Sequence, residues 1–164
     1  MRRKLAGTLA AVLLLAGCGA SGQQFKVEAS KPDRALLYVY RPSTIIGIGN
    51  ADVPFLHLDG RRLARIRIGG YLAVPISPGR HKLTTTMSLL GNDTGKIRGE
   101  ATVAAPVGAT VYLRYTEGFK AIVPIPLPVG VVVVSAGNYV FEFVPEAEAL
   151  AELANTQALE LEKQ

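Results

Sequence analysis

The chain of 164 residues has no tryptophan, one cysteine and two histidines. A single cysteine excludes an internal disulfide, so the fold rests on its core even in an oxidising compartment. It also excludes a metal site built on several cysteines. A zinc site wants two or three histidines with carboxylates nearby. His57 and His81 stand apart in the sequence, so structural roles are expected for both. No Gly-x-Ser-x-Gly elbow is present, and no histidine partner for a nucleophile is evident. A hydrolase would need a cleft that holds His57 or His81 with a carboxylate. Gly47-x-Gly49 lacks the rest of a dinucleotide fingerprint. No nucleic-acid recognition motif appears. These absences predict no enzyme, no metal and no cofactor.

What is present begins with Met1-Arg2-Arg3-Lys4 and an apolar run from Leu5 to Ala16. A membrane span needs roughly 20 apolar residues, so the run is too short to be one and reads as a signal. Leu15-Ala16-Gly17-Cys18 resembles the bacterial lipobox at all four positions. The resemblance implies cleavage between Gly17 and Cys18 and a covalent lipid on Cys18. Two or more acyl chains anchor stably where one does not. Gly19 stands where an Asp often retains lipoproteins in the inner membrane, so outer-membrane sorting, facing the periplasm, is implied. Residues 18–33 are small and polar and predict a lipidated flexible linker with a reach of about 20 Å.

Loss of Arg2, Arg3 and Lys4 with the signal lowers the formal charge from +5 to about +2. The segment after Val144 holds five Glu against one Lys. The body before it is basic, which favours an anionic surface as partner.

The body predicts an all-β fold over 34–164: a mostly antiparallel β-sandwich of about eight strands with one C-terminal helix. Ala35–Tyr40 is apolar on both faces. Val53–Leu58 and Leu63–Ile68 flank Asp59-Gly60, a favoured hairpin turn. Alternation there places Val53, Phe55, His57, Ala64, Ile66 and Ile68 on the core face, and Arg65 and Arg67 opposite with Leu56, Leu58 and Leu63. From His81 the pattern puts Leu83, Thr85, Met87 and Leu89 inward, then a loop at Gly91–Gly95, then Ile97, Gly99, Ala101 and Val103 inward. Ala121–Val134 is apolar but broken by Pro124, Pro126, Pro128 and Gly130, and reads either as an extended connection over the sheet ending in a short strand or as an apolar loop that contacts lipid or a partner. Asn138–Val144 is the last strand, with Tyr139, Phe141 and Phe143 inward. Pro145 suits a helix start with acidic residues after it. An apolar stripe through Leu150, Leu153, Ala154, Ala158 and Leu161 extends that helix over about 145–163.

Four ordered pieces carry a resemblance. They are Leu37-Tyr38-Val39-Tyr40-Arg41-Pro42, Leu56-His57-Leu58-Asp59-Gly60, Gly70-Tyr71-Leu72 and Ile76-Ser77-Pro78-Gly79-Arg80-His81. With Val111–Tyr115 they resemble the bacterial lipoproteins carrying domain of unknown function 2846, over about residues 35–116. The strand-Asp-Gly and Pro-Gly-x-His pieces are also similar to small sandwich modules of the PEGA type. The resemblance implies a fold class and an envelope location, and no activity or site residues.

Arg61, Arg62, Arg65 and Arg67 are the candidate interaction patch. Guanidinium groups there could pair with anionic head groups, cell-wall polymer or an acidic envelope protein. The expected function is a non-enzymatic, membrane-anchored envelope lipoprotein acting as a structural or protein-interaction module. The alternative is a periplasmic binding lipoprotein for a small or apolar ligand.

Overall fold

A computed structural model describes residues 20–43, 53–117, 131–134 and 139–162. The signal, Cys18, most of the loop after Ser43 and the proline-rich stretch before Val131 lie outside the described residues. In chain order the elements are β1 (Ala35–Arg41), β2 (Phe55–Leu58), β3 (Arg61–Arg65), β4 (Gly70–Ile76), β5 (Gly79–Leu89), β6 (Asn92–Ala105), β7 (Thr110–Glu117), β8 (Val131–Val134), β9 (Tyr139–Phe143), α1 (Glu146–Leu153) and β10 (Gln157–Ala158). One sheet runs β10-β4-β1-β7-β9 and the other β3-β2-β5-β6-β8. Pairing is antiparallel except for β1 with β7 and β10 with β4. The fold is the expected all-β sandwich with a single C-terminal helix.

β1 shows why the layers number three. Alternate residues of a strand face opposite sides, and all seven residues of β1 are buried. Ala35, Leu37 and Val39 enter the core between the sheets with Leu56, Leu83, Val103, Val111, Leu113 and Phe141. Leu36, Tyr38 and Tyr40 point outward under a second cluster with Tyr71, Tyr112, Val144, Ala149 and Leu153. Tyr38 stacks on Tyr112 with ring centroids 5.2 Å apart. Phe25 meets Tyr71 edge-on at 5.2 Å. Such pairs add about 0.5–1.5 kcal/mol each beyond burial.

Phe25 belongs to the stretch expected to be a flexible linker. The structure corrects that expectation. From Ala20 onward the segment lies along the outer face of the first sheet. The Phe25 amide donates to the Thr156 carbonyl, the Ala158 amide to Gln23, and the Glu28 amide to the Tyr38 hydroxyl. Ser30 donates through its hydroxyl to Gly108 at the far end of the sheet. Small polar residues left their backbone groups free, and the edge strand β10 and the tyrosine layer use them.

The helix is shorter than the apolar stripe predicted. Pro145 and the acidic first turn do begin it, but it ends at Leu153. Thr156 closes the last turn, donating to the Leu153 carbonyl from both its amide and its hydroxyl. Gln157 and Ala158 then extend alongside β4. The free edge of β4 offers backbone hydrogen bonds that a further helical turn would leave unmade.

The β2–β3 hairpin also departs from expectation. Asp59 and Gly60 both have positive φ, 51° and 80°, as a two-residue turn of this hand requires. A bulge then breaks the parity. Leu58 faces Arg61 and His57 faces Arg62, but Leu56 faces Ala64 and Phe55 faces Arg65. The extra residue lets Leu63 and Ala64 both enter the core. Leu56 takes the core position that alternation assigned to Phe55 and His57. β3 stops at Arg65, so Arg65 and Arg67 do not share a strand face.

In β5 and β6 the alternation holds from His81 to Thr85 and from Gly99 to Ala105, then fails toward the tip. Register shifts at Thr85/Thr86 and Thr86/Ser88 bend the ribbon. The turn is Leu90-Gly91 rather than Gly91–Gly95. Leu89 and Ile97, expected inward, are 55% and 46% exposed. β2 pairs with β5 only as far as Thr86 and β8 with β6 only as far as Glu100. Past those points, among the described residues, β5 and β6 pair only with each other in the ladder.

Candidate functional site

At one edge of the sandwich an open cleft of about 320 Å³ lies between the β2–β3 turn and the end of β4. Its apolar wall includes Leu58, Leu63, Val74, Ile76 and Leu161, and its polar end holds Asp59, Arg61, Ser77 and His81. β5 carries His81 here because the Pro78-Gly79 turn brings the chain back along β2. His81 Nδ1 lies 2.7 Å from Asp59 Oδ2. His81 Nε2 lies 2.7 Å from the Ser77 carbonyl oxygen and 3.4 Å from the Ser77 hydroxyl. Asp59 Oδ1 accepts from the Lys82 amide at 2.8 Å.

This is a carboxylate, an imidazole and a serine in one cleft, the arrangement a hydrolase would need. The hydrogen bonds decide its chemistry. A carbonyl oxygen only accepts, so Nε2 carries a proton and donates to Ser77. A general base must present a lone pair to the serine hydroxyl. Nδ1 faces the Asp59 carboxylate, so both ring nitrogens meet acceptors and the contacts favour the charged ring. Burial works against that charge, but the bonds to Asp59 and Ser77 outweigh it and raise the His81 pKa above its ordinary value. Burial likewise opposes the Asp59 anion, and the bonds to His81 and Lys82 hold its carboxyl below the usual range. The trio is a clasp between two turns.

His57 is paired in the same manner on the other face of the second sheet. Its Nε2 lies 3.0 Å from Asp93 Oδ2 and 3.0 Å from Thr86 Oγ1. Desolvation pushes the Asp93 carboxyl up, but bonds from Thr86, the Gly95 amide and His57 bring it below its ordinary value. This contact ties the root of the β5–β6 arm to β2.

The four arginines stand in different settings. Arg62 and Arg65 flank Phe55, their guanidinium carbons 5.0 and 5.2 Å from the ring centre. Arg62 also pairs with Glu162, and Arg65 donates to the Ser88 hydroxyl at 3.2 Å. Arg61 lines the cleft. Arg67 lies beyond the end of β3, in the connection to β4.

Sequence reasoning missed a second charged centre. Arg114 on β7 reaches Glu142, Glu148 and Glu152 at 3.0, 3.0 and 2.5 Å. Burial opposes its charge, yet these carboxylates raise its pKa further. Tyr40 donates to Glu152 at 2.6 Å and Tyr112 to Glu146 at 3.2 Å. Burial, and then the Glu146 charge, push the Tyr112 hydroxyl up to about 12. The acidic face of the helix was legible in sequence; that it folds onto Arg114 was not.

The pieces Leu56–Gly60 and Ile76–His81, separated in sequence, thus meet in the clasp. Tyr38, Tyr40 and Tyr71, from two other pieces of the pattern, make the aromatic layer. The profile of the family described as Protein of unknown function (DUF2846) matches residues 31–124, more than half of the chain. The chain belongs to this family. No curated protein and no solved structure matches it. The DUF2846 match runs from just before β1 through β7 and holds the clasp and most of the core.

Proposed function

We propose that this DUF2846 protein is a non-enzymatic envelope lipoprotein, cut before Cys18, lipidated there, and serving as a structural or protein-interaction module, with the outer membrane as its site. The observation that most supports this is the docked N-terminal segment. It carries the chain in order across the sandwich and delivers Ala20, two residues after Cys18, to one defined end of the body, with the Ala20 amide on the Ile68 carbonyl. A lipid on Cys18 would then hold the body in a set orientation. The His81 Nε2 atom faces the Ser77 carbonyl and offers no lone pair to a serine hydroxyl, which supports a module without catalysis.

Metabolic labelling with an alkyne fatty acid, followed by membrane fractionation, tests the anchor. Wild type is expected to carry label and to sediment with the outer membrane, and Cys18→Ser to lose both. Label that persists in Cys18→Ser would sink the proposal. Crosslinking in cells tests the partner. A discrete adduct lost from an equally abundant Arg61/Arg62/Arg65/Arg67→Ala variant would locate the contact on the arginines.

The edge cleft favours a second reading, a binding lipoprotein for a small apolar ligand. Its volume is at the low end of small-molecule sites and its wall is apolar with polar groups at one end. Native mass spectrometry of the full-length protein would reveal a co-purifying ligand, and Val74→Phe should expel it.

A further inference from the structure

We infer that the β5–β6 arm is a membrane-contacting finger, and that the end of the sandwich bearing it faces the lipid bilayer. The inference rests on the lipid anchor proposed above. Three observations converge on one end of the molecule.

The first is where the chain arrives. Ala20 bonds to Ile68, and Ile68 is three residues after Arg65. Arg65 in turn bonds Ser88 at the root of the arm tip and faces Phe55, which pairs with Thr86. Gly69 donates to Arg41 at the end of β1. Ala20, the β3–β4 connection and the arm therefore share one end. Two residues of chain span at most about 7 Å, so a lipid on Cys18 would lie within that reach of Ala20.

The second is the tip itself. Leu90 is 95% exposed and takes a left-handed conformation, φ 50°. Such turns ordinarily hold Asn, Asp or Gly. A leucine there suits neither the backbone nor water, and backbone strain of this kind concentrates at functional positions. Leu89 and Ile97 add exposed apolar surface beside it. Beyond Ser88 and Asp93, which Arg65 and His57 hold, Leu90 projects by two residues, about 7 Å at roughly 3.3 Å per residue. Interfacial elements bury their apolar face about 5–10 Å into the headgroup and acyl boundary, a depth this tip can reach.

The third is charge. Lys96 is exposed on the arm, and Arg65, half-buried, bonds Ser88 at its foot. Asp93, the arm's own carboxylate, is engaged by His57. An apolar tip with cations behind it matches the order of acyl chains and anionic head groups met on approaching a bilayer. An acidic protein would be met by the cations but not by the leucines. The lipid surface is the occupant that uses both.

The absence of tryptophan supplies the test. Leu90→Trp and, as a second probe, Leu89→Trp each place a single indole at the tip. Val107→Trp places one at the opposite end, beside Gly108, which bonds Arg34 ahead of β1. Each lipidated full-length protein is reconstituted in vesicles of phosphatidylethanolamine and phosphatidylglycerol and recovered by flotation. Tip emission is expected to shift to the blue and to be quenched by brominated acyl chains, while the Val107→Trp emission is unchanged. Proteins that float with unshifted tip emission would overturn the finger and leave the anchor standing. Equal quenching at Val107→Trp would overturn the orientation. A blue shift seen only in native envelope membranes would assign the tip to a protein and overturn the lipid contact. Failure to float would overturn the anchor, and the finger with it.

Discussion

The imidazole of His81 and the carboxylate of Asp59 lie 2.7 Å apart. Asp59 is the first residue of a hairpin turn, and His81 follows the turn at Pro78-Gly79. Their contact ties the β2–β3 turn to β5 within one sheet, and His81 Nε2 carries the link on to the Ser77 carbonyl, in the connection from β4 of the other sheet.

The clasp predicts a stability that depends on pH. His81 has a folded pKa above its ordinary 6.5, so its contribution is complete below that value and fades as pH rises through the folded pKa. Asp59 has a folded pKa below its ordinary 3.8, so its contribution is complete above that value and fades as pH falls through the folded pKa. Urea midpoints should show a clasp contribution that is greatest between those two values. His81→Ala should cost about 1–3 kcal/mol at pH 5 and remove the fall in stability that wild type shows as pH rises above 6.5. A His81→Ala profile parallel to wild type would refute the clasp.

Gly22 predicts how firmly the N-terminal segment is held. A Cβ on Gly22 would overlap the Ala158 carbonyl. Backbone cannot give way as a side chain can, so Gly22→Ala should lift the segment while leaving the sandwich folded. Limited proteolysis should cut Gln23–Asp33 faster in the variant, at an unchanged rate of global unfolding. Equal cleavage would mean the segment is not clamped at that point.

Arg114 predicts a charge penalty on the helix side. Arg114→Met leaves Glu142, Glu148 and Glu152 close together with no cation among them. The expected loss is roughly 1–3 kcal/mol, tempered because two of the carboxylates are half exposed. High salt should restore part of it, since screening weakens the repulsion. A loss that is independent of salt would point to packing instead.

His57 predicts how the arm is rooted. His57→Ala removes the link from β2 to Asp93 and Thr86. Hydrogen exchange at Ser88 to Gly95 should accelerate severalfold while exchange in β1 and β7 stays as it was. Unchanged protection in the arm would show that Arg65 and the ladder alone hold it.

The strands with unbroken alternation or two apolar faces were legible in the sequence. β1, the first half of β5 and the second half of β6 fall where the pattern placed them. The failures share one cause: a local pattern cannot register what a distant backbone offers. The bulge opposite His57 reversed the parity of β2, and the edge of β4 drew Gln157 out of a helix. The candidate site divided likewise. The arginines are visible as residue types, but the pattern does not announce that Phe55, buried as expected, gathers Arg62 and Arg65. The Asp59–His81 contact joins two recognisable turns, and nothing in the spacing between them announced that they would meet.

β1 lies between β4 and β7, and its parallel partner is far along the chain, with Leu37 opposite Val111. The bridge between Gln24 and Gln157 closes a still longer loop. Pairings of such wide sequence separation form slowly. A chain released in order from its N-terminus cannot finish the central strand until β7 has emerged, nor seat Phe25 until the last strand follows. The tyrosine layer therefore stays incompletely covered until that strand is in place, an apolar face that an immature copy would present to its surroundings.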